Sequence, residues 1–222
     1  FIDYLLLAED NSPLAFIEAK RFSASEDKGR VQARTYLDDI KKQTGEEIPY
    51  FLTNGNKWLL IDQDGNERHV SKPFSQSDLM RRRELHINRE DPTKISIGKI
   101  VDRGRSIVTV KKILEHIQDG HRSALISMAT GTGKTRVAMA IIDVLLRARI
   151  IRNVLFVVDR IPLADNAKEE GFKEFFSEAV IDLREDPKSF PDGFYVTTIQ
   201  TLRYGKKDKY YEKFSSGFFD LV

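Results

Sequence analysis

The chain has 222 residues and a mass of 25.5 kDa, with 41% hydrophobic and 32% charged residues. That is enough apolar material for a buried core and excludes a disordered chain. Thirty-six Lys and Arg nearly balance 34 Asp and Glu, so net charge by itself does not argue for a nucleic-acid partner. Cysteine is absent, which excludes disulfide scaffolds, thiolate zinc sites and cysteine nucleophiles. Apolar runs such as Val154 to Val158 are far too short to span a membrane. No signal peptide is visible, and Phe1 is not an initiator Met, so the chain is expected to begin inside a longer protein.

Two strand-like runs open the chain, Ile2 to Ala8 and Leu14 to Ala19, with the turn residues Asn11-Ser12-Pro13 between them. They predict an antiparallel pair. Val31, Leu37 and Ile40 recur at helical spacing within 29–44, and Gly45 suits a C-cap. Tyr50 to Thr53 and Trp58 to Asp62 flank Asn54-Gly55-Asn56, a hairpin signal. Ser77 to Leu85 predicts a helix capped by Ser77 or Asp78. The polar run Arg89-Glu90-Asp91-Pro92-Thr93-Lys94 marks the expected boundary between a domain over 1–90 and another over 91–222.

The second half alternates helix and strand. Ile107 to Gln118 predicts a helix stopped at Gly120, and Ala124 to Met128 a short strand. Arg136 to Arg149 is amphipathic, with Val137, Ala140, Ile141, Val144 and Leu145 on one side. Val154 to Val158 and Phe194 to Thr198 predict buried strands, Pro162 suits the first turn of a helix, and Phe218 to Val222 begins a further strand. This alternation is the mark of an α/β fold with a parallel sheet covered on both faces.

The strongest local signal is Met128-Ala129-Thr130-Gly131-Thr132-Gly133-Lys134-Thr135. Gly131 and Gly133 let backbone N–H groups approach phosphate oxygens without an intervening side chain. Lys134 supplies a point charge for the β- and γ-phosphates of ATP, Thr135 a hydroxyl for Mg²⁺, and the following helix its positive N-terminus. Thr130 and Thr132 complete the cofactor-binding loop. Met128 stands where the strict pattern has Gly, a substitution usual among helicase-type motors and unlike kinases or GTPases.

Two later segments agree. Val154-Leu-Phe-Val-Val-Asp-Arg160 with Leu163-Ala-Asp165 resembles motif Ia of superfamily 2 helicases, and Val196-Thr-Thr-Ile-Gln-Thr-Leu202 resembles their next DNA-contacting motif. Both fall at strand C-terminal ends, the ligand-binding edge of a parallel sheet. Taken singly, each segment better suits ordinary strand-to-helix capping; their order and spacing after the phosphate loop favour the motor. The chain stops at Phe219-Asp220-Leu221-Val222, where such motors continue into an acidic Mg²⁺-binding box, so this chain by itself is expected to hydrolyse nucleotide poorly.

The first half carries a different chemistry. Asp3 lies on one predicted strand, and Glu18-Ala19-Lys20 on the next. Residues 18 and 20 share a strand face, and they follow an apolar run, where charge needs a reason. Two close carboxylates repel unless a cation lies between them, and oxygen ligands suit Mg²⁺. Lys20 can orient a water or stabilise charge developing on phosphorus. Gln32 and Tyr36, four residues apart on the predicted helix, share a face directed at the metal or a DNA phosphate. A cross-strand salt bridge and a solvated helix face are the alternative readings of these residues.

Asp, Glu-x-Lys and then Gln-x-x-x-Tyr resembles the PD-(D/E)xK nuclease core of the RecB-like kind. Followed by an Ala-Thr-Gly-Thr-Gly-Lys-Thr motor, it resembles the restriction (motor) subunit of type I restriction–modification enzymes, from about Ile2 to Val222. The resemblance implies a partial PD-(D/E)xK nuclease domain over 1–90 and most of one RecA-like parallel-sheet motor lobe over 91–222. It implies ATP- and Mg²⁺-dependent translocation on double-stranded DNA, endonucleolytic cleavage, methylation and specificity subunits as partners, and a cytoplasmic, membrane-free location. On it, Asp3, Glu18, Lys20, Gln32 and Tyr36 are assigned to nuclease catalysis and Asp3, Glu18 and Thr135 to metal. The family's Tyr-Gln pair that reads adenine is replaced by Asp102-Arg-Gly-Arg-Ser106, which leaves adenine selectivity open. The competing readings are another nuclease–helicase fusion, for repair or single-chain restriction, and a DNA-binding scaffold with an inactive nuclease centre.

Of the remaining features, Arg81-Arg82-Arg83 suits either DNA phosphates or a solvated helix face. The four histidines have no ligand spacing, and Trp58 is expected in the core.

Overall fold

The computed structural model describes residues 2–19, 26–98, 100–177, 179–204 and 210–222; of residues 26–30 and 32 it describes the backbone alone. The chain forms two units. One holds residues 1–84 with 215–218, and the other holds 85–214 with 219–222.

The first unit is built on a mixed five-stranded sheet in the order β1 (Tyr4–Leu7), β2 (Pro13–Ala19), β3 (Tyr50–Thr53), β4 (Trp58–Ile61), β5 (Glu67–Val70). β1 and β2 are antiparallel, as the turn residues require; Asn11 takes φ 63°, a conformation Asn tolerates. β2 and β3 are parallel, which needs a crossover, and α1 (Glu26–Thr44) supplies it. Gly45 ends α1 at φ 75°. The β3–β4 hairpin turns at Gly55 (φ 91°), with Asn54 Oδ1 accepting the N–H groups of Asn56 and Lys57.

Alternation along β2 sorts its side chains onto two faces. Ala15 and Ile17 join Phe51, Leu60, Phe74 and Leu79 on one. Phe16 joins Ala33, Tyr50, Leu52 and Leu59 on the other, the face that α1 covers. Val31 is exposed, so Leu37 and Ile40 carry α1's apolar contact without it.

α2 spans Gln76–Asn88, longer than predicted, and its cap is Ser75 rather than Ser77 or Asp78. Ser75 Oγ accepts the Asp78 N–H at 3.2 Å and Asp78 Oδ2 accepts the Ser75 N–H at 3.2 Å, a reciprocal capping box. The Arg81-Arg82-Arg83 run is not a freely solvated face, since each guanidinium is engaged within the protein. Arg81 is buried, bonded to Asp78 Oδ1 (3.2 Å) and to the carbonyls of Gly217 (2.8 Å) and Phe218 (2.7 Å). Arg82 reaches the Gly217 carbonyl at 3.1 Å, and Arg83 holds Glu46 at 2.6 and 2.8 Å. These carbonyls lie in the excursion 215–218, whose Gly217 backs onto the buried Phe74 ring.

The second unit contains a parallel sheet in the order β6 (Val154–Val158), β8 (Phe194–Thr198), β7 (Val180–Asp182). α3 (Gly104–Gln118) and α4 (Lys134–Arg147) pack their apolar stripes into its core: Val110 and Leu114 from α3, and Val137, Ala140, Ile141, Val144 and Leu145 from α4. After β6 the chain enters α5 (Ile161–Asn166), with Pro162 in its first turn, then a π-helical turn (Ala167–Phe172) and the short α6 (Lys173–Phe175). Phe172 is fully buried and stacks on Phe194 with centroids 5.0 Å apart. α7 (Ile199–Tyr204) follows β8 directly.

Two strand predictions fail. Residues 124–128 form no strand, and β6's outer edge is met by Leu221, whose carbonyl accepts the Leu155 N–H at 2.9 Å. Residues 218–222 contribute only that single bridge. The 124–128 backbone still alternates: Leu125 is exposed, while Ile126 and Met128 pack on the core.

Candidate functional site

Each unit carries a candidate site, and each is built by its own elements.

In the second unit, the loop 128–133 leads into α4. Gly131 takes φ 76° and Gly133 φ 90°, conformations that residues with a Cβ rarely adopt, and open space surrounds both. Gly133 occupies the N-cap position and makes no side-chain cap bond, so no side chain there screens the first-turn N–H groups of α4 from an anion. Lys134 Nζ donates to the Met128 carbonyl at 2.9 Å, which folds the lysine back over its own loop. Thr132 Oγ1 donates to the Ala129 carbonyl at 2.6 Å and closes the turn. Thr130 and Thr135 are exposed, and Thr135 begins the helix beside Lys134. The donor set consists of backbone amides, one ammonium and hydroxyls, which fits a polyphosphate with Mg²⁺.

The strand ends beside it divide in their use. Arg160 is largely exposed in the turn from β6 into α5. Thr197 and Thr198 are buried: Thr198 Oγ1 accepts the Thr201 N–H at 3.2 Å and so caps α7, Thr197 Oγ1 donates to the Thr198 carbonyl at 3.3 Å, and Gln200 stays exposed. A feature without local sequence signal lies at the end of β7. The Arg184 guanidinium donates to both oxygens of the buried Asp182 (2.8 and 2.5 Å) and to Asp165 Oδ1 (2.6 Å). Lys168 Nζ bonds Glu185 at 2.5 Å and lies 3.6 Å from Asp182. Burial works to raise the Asp182 carboxyl, but the Arg184 hydrogen bonds, with Lys168 behind them, outweigh it and hold it below the ordinary carboxylate range.

In the first unit, the β1–β2 register pairs Tyr4 with Ile17, so the next pair along sets Asp3 opposite Glu18. Asp3 Oδ2 accepts the Ala19 N–H at 2.7 Å, which anchors that carboxylate to the end of β2 and leaves its other oxygen facing elsewhere. Glu18 is 1% exposed and shares the face of Phe16, toward α1. A carboxylate that deep in a sheet costs energy unless a partner compensates it. Gln32 lies on α1, and its side chain is outside the described residues, as is Lys20 altogether. Tyr36 is partly buried on the same face, edge-on to Phe16 with centroids 6.2 Å apart. The structure therefore brings Asp3 and Glu18 to one strand end and sets Tyr36 on the helix over that face. Among the described residues, no group of three or more His, Asp or Glu side chains could hold a metal ion. The oxygen-only pair Asp3 and Glu18 fits a hard cation such as Mg²⁺ that draws its remaining ligands from water or phosphate.

Residues 99–222 match the protein family described as "Type III restriction enzyme, res subunit". The chain is also similar to the "Type I restriction enzyme EcoAI endonuclease subunit" of Escherichia coli, at 27% identity over 190 residues, covering 78% of this chain and 23% of that protein. It is 30% identical over 100 residues to the "Type I restriction enzyme EcoKI endonuclease subunit" of Escherichia coli (strain K12), covering 42% of this chain and 8% of that protein. Among solved structures, a fragment of a protein described as an HsdR subunit of a type I restriction enzyme from Vibrio vulnificus YJ016 aligns at 25% identity and a TM-score of 0.38, over 90% of this chain and 38% of that one. The chain thus spans less than a quarter of the length of the curated relatives it matches.

Proposed function

Since the chain belongs to this family of restriction-enzyme subunits, we propose that it contributes the nuclease centre and part of the ATP-driven motor of a type I restriction endonuclease that translocates and cuts double-stranded DNA. The observation that carries the reading is the joint occurrence, in one chain, of a buried Glu18 opposed by Asp3 and of an uncapped, glycine-hinged loop ending in Lys134-Thr135. A carboxylate within a sheet and a helix start left without a side-chain cap are both arrangements that a ligand-binding role explains.

In the motor, the Gly131 and Gly133 backbone would cradle the phosphates of ATP, Lys134 would exchange the Met128 carbonyl for phosphate oxygens, and the Thr135 hydroxyl would be a ligand for Mg²⁺. The exposed Arg160 and Gln200 contact the DNA backbone, contacts that hold position and carry no sequence information. In the nuclease, Asp3 and Glu18 would hold Mg²⁺, which would supply Lewis-acid stabilisation at the scissile phosphate. Lys20 orients the attacking water, while Gln32 and Tyr36 support the cluster from α1. Site recognition and host protection belong to the methylation and specificity subunits with which the relatives' enzyme class implies assembly.

The test uses the full-length protein with those subunits. ATP-dependent cleavage of unmethylated DNA is compared in wild type, Glu18→Ala and Lys134→Ala. The expected result is that Glu18→Ala loses cleavage and keeps ATP hydrolysis, whereas Lys134→Ala loses both. Cleavage surviving in Glu18→Ala makes the carboxylate pair structural and favours an inactive scaffold for the first unit.

A further inference from the structure

β6, β8 and β7 are parallel, so their C-terminal ends share one edge of the sheet, and that edge carries the Arg160 turn. The turn's backbone is held by the Leu163 and Ala164 N–H groups, which donate to the Arg160 carbonyl, and by the buried Ala164, but the Arg160 side chain has little to hold it. Arg160 precedes α5 without a side-chain cap, its side chain is 79% exposed, and its pair with Asp159, at 3.5 Å, is between two exposed groups and contributes almost nothing. Ile161 and Leu163 project outward. A DNA contact made from such a turn requires an external brace, because a one-ångström displacement forfeits it.

The brace is the end of β7. Asp182 is the last residue of that strand, with its carboxylate buried and bonded to the Arg184 backbone N–H (3.0 Å) and guanidinium. The same guanidinium reaches across to the first helix after the turn, at Asp165 Oδ1 (2.6 Å) and the Ile161 carbonyl (3.4 Å). Lys168, in the π-helical turn that follows, is held by Glu185 and Asp182. Arg184 is thus committed to two carboxylates and is largely buried, so its charge is already spent within the protein.

We infer that Arg184 is a positioning residue for DNA binding: it ties the start of α5 to the sheet through Asp182 and Asp165, and so sets Arg160 over the strand edge without touching DNA itself. The inference rests on the DNA-contacting role proposed above for Arg160.

The test is a double-mutant cycle in the full-length subunit, with non-specific duplex DNA as the probe and fluorescence anisotropy across a salt series as the readout. Arg160→Ala is expected to weaken binding about fivefold and to lower the salt slope by about one. Arg184→Ala is expected to weaken binding similarly, and the double variant to lie within about twofold of Arg160→Ala alone, since a residue acting only through Arg160 has nothing left to act on. Arg184→Lys, which keeps the charge but loses the fork, falls between wild type and Arg184→Ala and guards against loss of folding. Nucleotide affinity at the phosphate loop stays unchanged in Arg184→Ala and Arg184→Lys. Fully additive losses overturn the inference, because Arg184 then binds DNA itself or acts through stability. An Arg160→Ala variant that binds DNA normally overturns the DNA-contacting reading of the turn instead.

Discussion

Lys134 Nζ sits 2.9 Å from the Met128 carbonyl, so the lysine expected to meet phosphate is already hydrogen-bonded to the loop it must serve. The bond is exposed and its acceptor is a neutral carbonyl, so a polyphosphate, whose charged oxygens bind an ammonium more strongly, can displace it. Lys134→Ala is therefore expected to leave thermal stability within about 1 kcal/mol of wild type while weakening ATP binding at least about tenfold. A fluorescent-nucleotide titration beside a melting curve checks both halves. An unchanged affinity would remove the lysine from the nucleotide site.

Glu18 offers a sharper separation of roles. Glu18→Gln keeps its volume in the sheet and removes its charge from the interior. DNA cleavage should be lost while the fold is retained, since the amide keeps the side chain's size and much of its hydrogen-bonding capacity. A cleaving Glu18→Gln variant, or a strongly destabilised one, assigns the residue to architecture.

Asp182 gives a pH dependence of known sign. Its folded-state carboxyl titrates below the ordinary value near 4. The stability it contributes is present above that value and is lost as pH falls through the lower, folded-state one. Urea midpoints of wild type and Asp182→Ala should differ by about 3 kcal/mol near neutral pH, because the variant leaves Arg184 and Lys168 without their shared carboxylate, and should converge as the pH drops below about 4. A gap independent of pH would mean the loss is packing rather than charge.

Gly217 faces a rigid obstacle. A Cβ there would lie 2.6 Å from Phe74 Cγ, and Phe74 is itself buried against Phe51. Gly217→Ala is expected to cost about 2 kcal/mol, read as a lowered denaturation midpoint. Nothing near Gly55 meets such an addition in space, so its cost at Gly55→Ala is only that of φ 91°.

What the sequence made legible was local. Asn54-Gly55 declares its turn because few residue types accept positive φ, and α4 declares itself because an apolar period of 3.6 residues suits a one-sided helix and no strand. The opposition of Asp3 and Glu18 follows from a short turn and a ladder of fixed register. What escaped depends on neighbours. Residues 124–128 have the composition of a strand, yet a strand exists only by pairing, and composition does not say whether a partner lies alongside. β5 is a half-exposed, charged edge strand, so Glu67-Arg68-His69-Val70 carries no apolar alternation to detect. Arg81 reads in sequence as one cation among three; its burial depends on a segment more than a hundred residues away. The Arg184 fork joins residues from two elements and leaves no spacing to find.

The two margins of the mixed sheet are unlike each other. β5 ends it with Glu67, Arg68 and His69, side chains that discourage another strand from pairing there. β1 ends it with Tyr4, Leu5, Leu6 and Leu7, of which Tyr4 is 62% exposed and Leu5 44%, and no charge or proline interrupts them. Among the described residues no strand pairs with the outer side of β1, and an apolar margin of that kind is a template for strand addition, so concentrated preparations of this chain should self-associate through β1 first. A lysine at Leu5 or Leu7 is where a more tractable sample would begin.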